Sequence, residues 1–170
     1  MTLSVSWSLL TSCAATVKTE VPGKNVRSQH WQVIDGEGML IGNITREELF
    51  SEIDIFKINY GAYSPKDSII QLLKNYSQPV AIDVFLGTWC GDSKKNLPRF
   101  LKTLDEAHLR PVRLALCGVD RTKTDKDKLT VKNNVTRVPT MIFYRNGQEI
   151  GRITEHPKGS IEDDVLSILR

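Results

Sequence analysis

Three cysteines, at positions 13, 90 and 117, are too few and too odd in number to form a disulfide framework within one chain, so each needs its own explanation. Histidine is as scarce: His30, His108 and His156 share no ligand spacing, which argues against a metal site. No apolar run approaches the ~18–20 residues of a membrane-spanning helix. No run of lysine and arginine is interleaved with aromatics. The densest charge, residues 121–128 (RTKTDKDK), mixes both signs and reads as a solvated face, so nucleic acid is not an expected partner. Internal repeats and low-complexity segments are absent too. What remains is a globular composition, 40% hydrophobic and 25% charged with a net charge of +3, of about one domain's length.

The first ten residues, MTLSVSWSLL, are apolar or small and uncharged, and Leu10-Thr11-Ser12-Cys13 follows. That run is similar to the lipobox of bacterial lipoproteins, in which the cysteine is lipidated and the preceding residues are removed. No Lys or Arg precedes it, as a secretory n-region requires; a start codon assigned too far downstream would produce that appearance. The expected organisation is a lipoprotein signal remnant and flexible tether over residues 1–29, an N-terminal extension packed on the domain over 30–63, and the domain itself over 64–170. The location implied is the bacterial cell envelope, periplasmic and lipid-anchored to a membrane, or the cytoplasm if Cys13 carries no lipid.

Within 30–42 the apolar pieces around Asp35-Gly36-Glu37-Gly38 predict a small hairpin. Thr45 with Glu48 three residues on is a capping box, opening a helix that continues through Phe56 and Tyr60. Ser64-Pro65 predicts another helix start, with Ile69, Ile70, Leu72 and Leu73 on its apolar side. Buried strands follow over 80–86 and 112–119, with a helix over 90–107 between them and a polar helix near 125–132. Two more strands flank Arg145-Asn146-Gly147, a hairpin signal, and Ser160 caps a closing helix with Ile161, Val165, Ile168 and Leu169 inward. Strand–helix–strand implies a parallel pair and the hairpin adds antiparallel strands, giving an α/β fold with a mixed sheet and helices on both faces.

That order carries four motif elements. Trp89-Cys90-Gly91 stands at a strand-to-helix junction; Pro98 follows Cys90 by eight residues; Thr136-Arg137-Val138-Pro139-Thr140 precedes a strand; and residues 143–153, FYRNGQEIGRI, form the terminal hairpin, with Glu155 just after it. Together they resemble the thioredoxin-like superfamily over residues 64–170, and within it the small bacterial members with a monothiol WCGDS site and an N-terminal helical extension. The resemblance implies a cis Val138–Pro139 bond packed beside Cys90, and substrate binding by Val138, Pro139 and Thr140. Two departures stand out. Ser93 replaces the resolving cysteine, and the buried carboxylate expected six residues before the nucleophile falls on Val84. Asp83 is one residue off and so points to the opposite face of its strand.

A cysteine at a helix start meets unpaired N–H groups and the positive end of the helix dipole, which favour thiolate over thiol, and Lys94 and Lys95 push the same way against Asp92. Ser93, one turn in, is placed to donate a hydrogen bond to that thiolate but cannot attack a mixed disulfide. Trp89, Cys90 and Ser93 are therefore the candidate catalytic residues, in a thiol–disulfide oxidoreductase or isomerase acting through mixed disulfides with protein or low-molecular-weight thiols and without a cofactor. Cys117, in an apolar strand, reads as a core residue; as a displaced resolving thiol it would have to approach Cys90 closely. Two alternatives stand beside this. One is a non-catalytic module binding extended or unfolded polypeptides in the cis-proline groove. The other is a glutaredoxin-like carrier of glutathione or an iron–sulfur cluster, since Cys90-Gly91-Asp92-Ser93 shares the Cys-Gly-x-Ser spacing of monothiol glutaredoxins.

The lipobox-like run yields the first prediction. Cells expressing the gene with its native upstream region are expected to incorporate labelled palmitate into the protein. The label should be lost in Cys13→Ala.

Overall fold

A computed structural model describes residues 27–125 and 127–170; Cys13 and nearly all of the expected tether lie outside them. The extension opens with the hairpin, β1 (Trp31–Ile34) and β2 (Glu37–Leu40), joined through Asp35-Gly36. A strand that the sequence reading did not identify follows, β3 (Gly42–Ile44), antiparallel to β5 (Arg113–Gly118). A β-carbon at Gly118 would collide with the Leu40 carbonyl, so the bare backbone there is what lets the hairpin's end reach the sheet.

Thr45 caps α1 (Arg46–Glu52) with the full capping box: its hydroxyl accepts the Glu48 N–H at 3.0 Å, and the Glu48 carboxylate accepts the Thr45 N–H at 2.8 Å. The other Glu48 oxygen takes the Ser28 hydroxyl at 2.6 Å and lies 2.9 Å from His30 Nδ1. Instead of one continuous helix the chain breaks at Ile53, whose backbone is extended, and restarts as α2 (Asp54–Ala62); no glycine or proline marks the break.

The next helix, α3 (Asp67–Lys74), begins later than Ser64-Pro65 suggests, and no side chain caps it. The buried Glu162 decides this, accepting the Lys66 N–H at 3.0 Å and the Tyr63 hydroxyl at 2.6 Å and so holding 63–66 extended. Ile70 and Leu73 face the core and Ile69 packs partly against it, whereas Leu72, at the edge of the roughly 160° arc that these four positions span at about 100° per residue, is 47% exposed.

After α3 come β4 (Ala81–Leu86), α4 (Gly91–Glu106), β5, the single turn α5 (Leu129–Lys132), β6 (Thr140–Arg145), β7 (Gln148–Thr154) and α6 (Ile161–Leu169). The sheet runs β3-β5-β4-β6-β7, with β4 and β5 parallel and every other pair antiparallel. Asn146 and Gly147, with φ of 53° and 78°, make the tight β6–β7 turn. The helix expected over 125–132 shrinks to α5 because the buried Asp125 carboxylate draws in the N–H groups of Asp127, Leu129 and Thr130, bending the chain until Leu129.

Strand alternation divides the sheet. Ile82, Val84 and Leu86 face the larger core with Leu49, Phe56, Ile70, Phe100 and Val165, drawn from α1, α2, α3, α4 and α6. Phe85, Cys117, Val119 and Ile142 face the other side, covered by α5 and the loop after it through Leu129, Val135 and Val138. Helices thus lie on both faces of the mixed sheet, unequally. Leu49 and Phe56 are fully buried, and at about 1.5–3 kcal/mol each they bind the extension to the core.

Glu48 links helix cap and chain entry, and the bond from Ser28, followed by those from Thr45 and His30, holds its carboxyl down at about 2 against an ordinary 4.5. A depressed folded pKa contributes stability above the unfolded value that is lost as pH falls through the folded one. Glu48→Ala is expected to lower unfolding stability by about 1 kcal/mol at pH 7. Urea titrations should show that deficit shrinking between about pH 4.5 and 2.

Candidate active site

The site is assembled where β4 runs out. Gly87 to Cys90 form a tight turn closed by the Cys90 N–H on the Gly87 carbonyl at 2.9 Å. Cys90 is then the N-cap of the sixteen-residue α4, its carbonyl accepting the Lys94 N–H at 3.0 Å. The thiol is free and half-buried, and it donates to the Val138 carbonyl at 3.3 Å. Trp89 is fixed three ways. Its Nε1–H donates to the Val119 carbonyl at 3.0 Å, its ring covers Gly87, where a β-carbon would lie 2.6 Å from it, and the Arg121 guanidinium stands 5.1 Å above the ring centre.

Ser93 does not address the sulfur. It is completely buried, and its hydroxyl accepts the Gly87 N–H at 3.2 Å, which corrects the expected bond to Cys90. The physical reason is that Gly87, just past β4, needs an acceptor, and the hydroxyl one helical turn into α4 is the group that reaches it.

The Val138–Pro139 peptide bond is cis, Val138 is buried against the same apolar cluster that Cys90 borders, and the Val138 N–H has no acceptor among the described residues. Thr140 is buried and its hydroxyl donates to the Arg137 carbonyl at 2.7 Å, so it shapes the loop instead of presenting a hydroxyl to a substrate. A clamp that sequence reasoning missed holds this loop against α4. The Pro139 carbonyl accepts the Glu155 N–H at 2.7 Å, and the Glu155 carbonyl accepts from the buried Asn96 side chain at 2.7 Å. Arg137 pairs with the Glu155 carboxylate at 2.8 Å. A polar Asn96 beside Leu97 in an otherwise amphipathic helix was the available signal.

Pro98 sits inside α4 and lacks an N–H, leaving the Lys94 carbonyl without its helical partner. Asn59 of α2 donates to that carbonyl at 2.8 Å. The extension touches the site twice more: the Leu40 N–H donates to the buried Thr88 hydroxyl at 3.2 Å, and Glu37 pairs with Arg121 at 2.5 Å.

Cys117 is 7% exposed among Phe85, Val119 and Ile142, and burial, then the charges of Asp125, Asp127 and Asp83, push its thiol up to about 12. It is unbridged and belongs to the core. Val84 is fully buried in the larger core, while Asp83 on the opposite face binds the Arg113 guanidinium, so no carboxylate at 83 or 84 serves Cys90. Asp92 lies 3.5 Å from His156. Among the described residues no three His, Cys, Asp or Glu side chains are grouped to hold a metal ion. A cavity of about 750 Å³ against Asp83, Arg113 and Tyr144 contains none of the motif residues, whereas a cleft of about 340 Å³ borders Trp89.

A family model described as Thioredoxin matches residues 64–167. Thioredoxin-5 of Dictyostelium discoideum is 33% identical over 97 residues, covering 57% of this chain and 87% of that protein. Thioredoxin-1 of Caenorhabditis elegans is 32% identical over 95 residues, covering 56% of this chain and 74% of that protein. Among solved structures, a Pseudomonas aeruginosa protein of unknown function superposes with a TM-score of 0.54 at 15% identity, over 71% of this chain and 82% of that one.

The two described thiols should separate cleanly under iodoacetamide. At pH 8 a thiol titrating at about 12 is ionised in about one molecule in ten thousand. Peptide mapping should find Cys90 alkylated in the native protein and Cys117 modified only after unfolding in urea.

Proposed function

The chain belongs to the thioredoxin family, and from that premise we propose that it is a monothiol oxidoreductase or isomerase working through mixed disulfides at Cys90. Thiol–disulfide redox chemistry is the family's general activity; the restriction to one thiol is the new element. The observation that carries it is the contrast between three positions. Cys90 is half-exposed at the N-cap of α4, Ser93 is sealed beneath the turn with its hydroxyl on Gly87, and Cys117 is buried with its thiol pushed up to about 12.

In the reaction, the Cys90 thiolate attacks one sulfur of a substrate disulfide. A Cys90–substrate bond forms, the substrate S–S bond breaks, and the departing thiolate takes a proton from water. Cys90 is oxidised and the departing half is reduced. Without a second thiol in reach, release needs an external thiol or a neighbouring cysteine of the substrate, which is how an isomerase or a glutathione-coupled enzyme operates. The substrates are protein or low-molecular-weight disulfides, and the open Val138 N–H beside Cys90 suits an extended chain docking strand-fashion. Tethering of this activity to a bacterial envelope through Cys13 belongs to the same proposal and rests on the Leu10–Cys13 run.

The missing thiol can be restored. Wild type is expected to reduce insulin poorly while accumulating adducts on Cys90. Ser93→Cys should form an internal disulfide and gain turnover, at a stability cost of about 1 kcal/mol because Gly87 loses its oxygen acceptor. Cys90→Ser should abolish both behaviours. Vigorous wild-type turnover that disappears in Cys117→Ala would overturn the monothiol reading.

A further inference from the structure

The cleft beside Trp89 has two parents. Trp31, Glu37 and Glu52 come from the extension, and Trp89, Lys94 and Arg121 from the domain. Three of its four charged side chains are already committed. Glu37 and Arg121 pair with each other at 2.5 Å, and Glu52 accepts the Ser28 N–H at 2.5 Å with Arg27 at 3.6 Å. Lys94 remains, with no carboxylate within ion-pair distance among the described residues. The nearest acidic residue in sequence, Asp92, is turned to His156 instead.

Lys94 is also one helical turn from the thiol: its N–H bonds the Cys90 carbonyl, and four residues of helix rise about 6 Å. A half-disulfide on Cys90 with a carboxylate one residue from its sulfur can therefore bring that carboxylate toward the ammonium, in a cleft that Trp31 and Trp89 both line. At about 340 Å³ the cleft lies at the small end of small-molecule sites, roughly 300–1,000 Å³. Trp31 and the Glu37–Arg121 pair wall it on the extension side.

We propose that this cleft is a carboxylate subsite for small peptide disulfides, with Lys94 reading the charge of the half that becomes attached to Cys90. The inference rests on the monothiol reading above. Its chemistry is the same exchange: the Cys90–sulfur bond forms, the peptide disulfide breaks, and the released peptide thiolate is protonated by water.

The test compares rates of Cys90 mixed-disulfide formation with glutathione disulfide (anionic), 2-hydroxyethyl disulfide (neutral) and cystamine (cationic), followed by mass spectrometry of the full chain. Taking the ratio of each charged rate to the neutral one cancels any change in the reactivity of the thiolate itself. Lys94→Gln is expected to lower the glutathione-to-neutral ratio by roughly fivefold, the upper value for a solvent-exposed ion pair. Lys94→Glu should raise the cystamine-to-neutral ratio. Lys132→Gln, a lysine that lines the separate cavity against Asp83 and Arg113, should alter neither. Ratios indifferent to Lys94, or shifted equally by Lys132→Gln, would overturn the subsite while leaving the monothiol activity standing. Failure of all three disulfides to modify Cys90 would overturn both.

Discussion

Everything at the site hangs on one backbone donor. When β4 ends, the Gly87 N–H has no strand to pair with, and the Ser93 hydroxyl accepts it at 3.2 Å. That bond ties the turn to the first turn of α4, fixing the strand's end against the helix's start. Because the turn is held, the Trp89 ring can lie on Gly87 and pass its N–H to Val119, and Cys90 can stand as the helix N-cap facing the Val138 carbonyl. An oxygen makes a better acceptor here than sulfur would. The residue that removes the second thiol also strengthens the turn that presents the first.

Two further sets of contacts hold the neighbours of that turn in place. On one side Asn96 reaches from α4 to the Glu155 carbonyl, and Glu155 in turn holds the Pro139 carbonyl, so the loop opposite Cys90 is referred to the same helix that positions the sulfur. On the other side Pro98 breaks the helical ladder and the extension repairs it: Asn59 occupies the Lys94 carbonyl that proline leaves open. A carbonyl orphaned inside the protein would cost on the order of 1–3 kcal/mol. The extension is therefore part of how α4 tolerates its proline, over and above the apolar area that it buries.

Much of this was legible in the sequence because its causes are local. The Asn146-Gly147 turn, the Thr45–Glu48 cap and the Ser160 cap each depend on residues within a few positions, and the parity of β4 put Val84 inside and Asp83 out. What escaped was decided from far away. The start of α3 is set by Glu162, ninety-six residues along the chain from Lys66. Strand β3 exists because Gly118 lets Leu40 and its neighbours approach β5. Ser93 was expected to serve the sulfur because helical spacing shows which residues are near one another, but not which unsatisfied donor is nearest. The Asn96 clamp needed three segments that only the fold brings together.

A monothiol site also changes where selectivity must reside. With a dithiol, the lifetime of a mixed disulfide is limited from within, and the enzyme lets go of any partner. Under the proposed monothiol mechanism, with Ser93 sealed under the turn, that lifetime would depend on the incoming thiol, and the surfaces around Cys90 would act on the same adduct twice, at formation and at release. Those surfaces are the Val138 loop on one flank and the extension on the other. The extension is suited to this because it is not a loose arm: Leu49 and Phe56 are fully buried in the common core, and the Leu40 N–H is bonded to Thr88 inside the active-site turn itself. A wall fixed to the turn keeps its register with the sulfur whatever partner is bound. On the proposed monothiol mechanism, discrimination would then come from shape and charge beside the one reactive thiol.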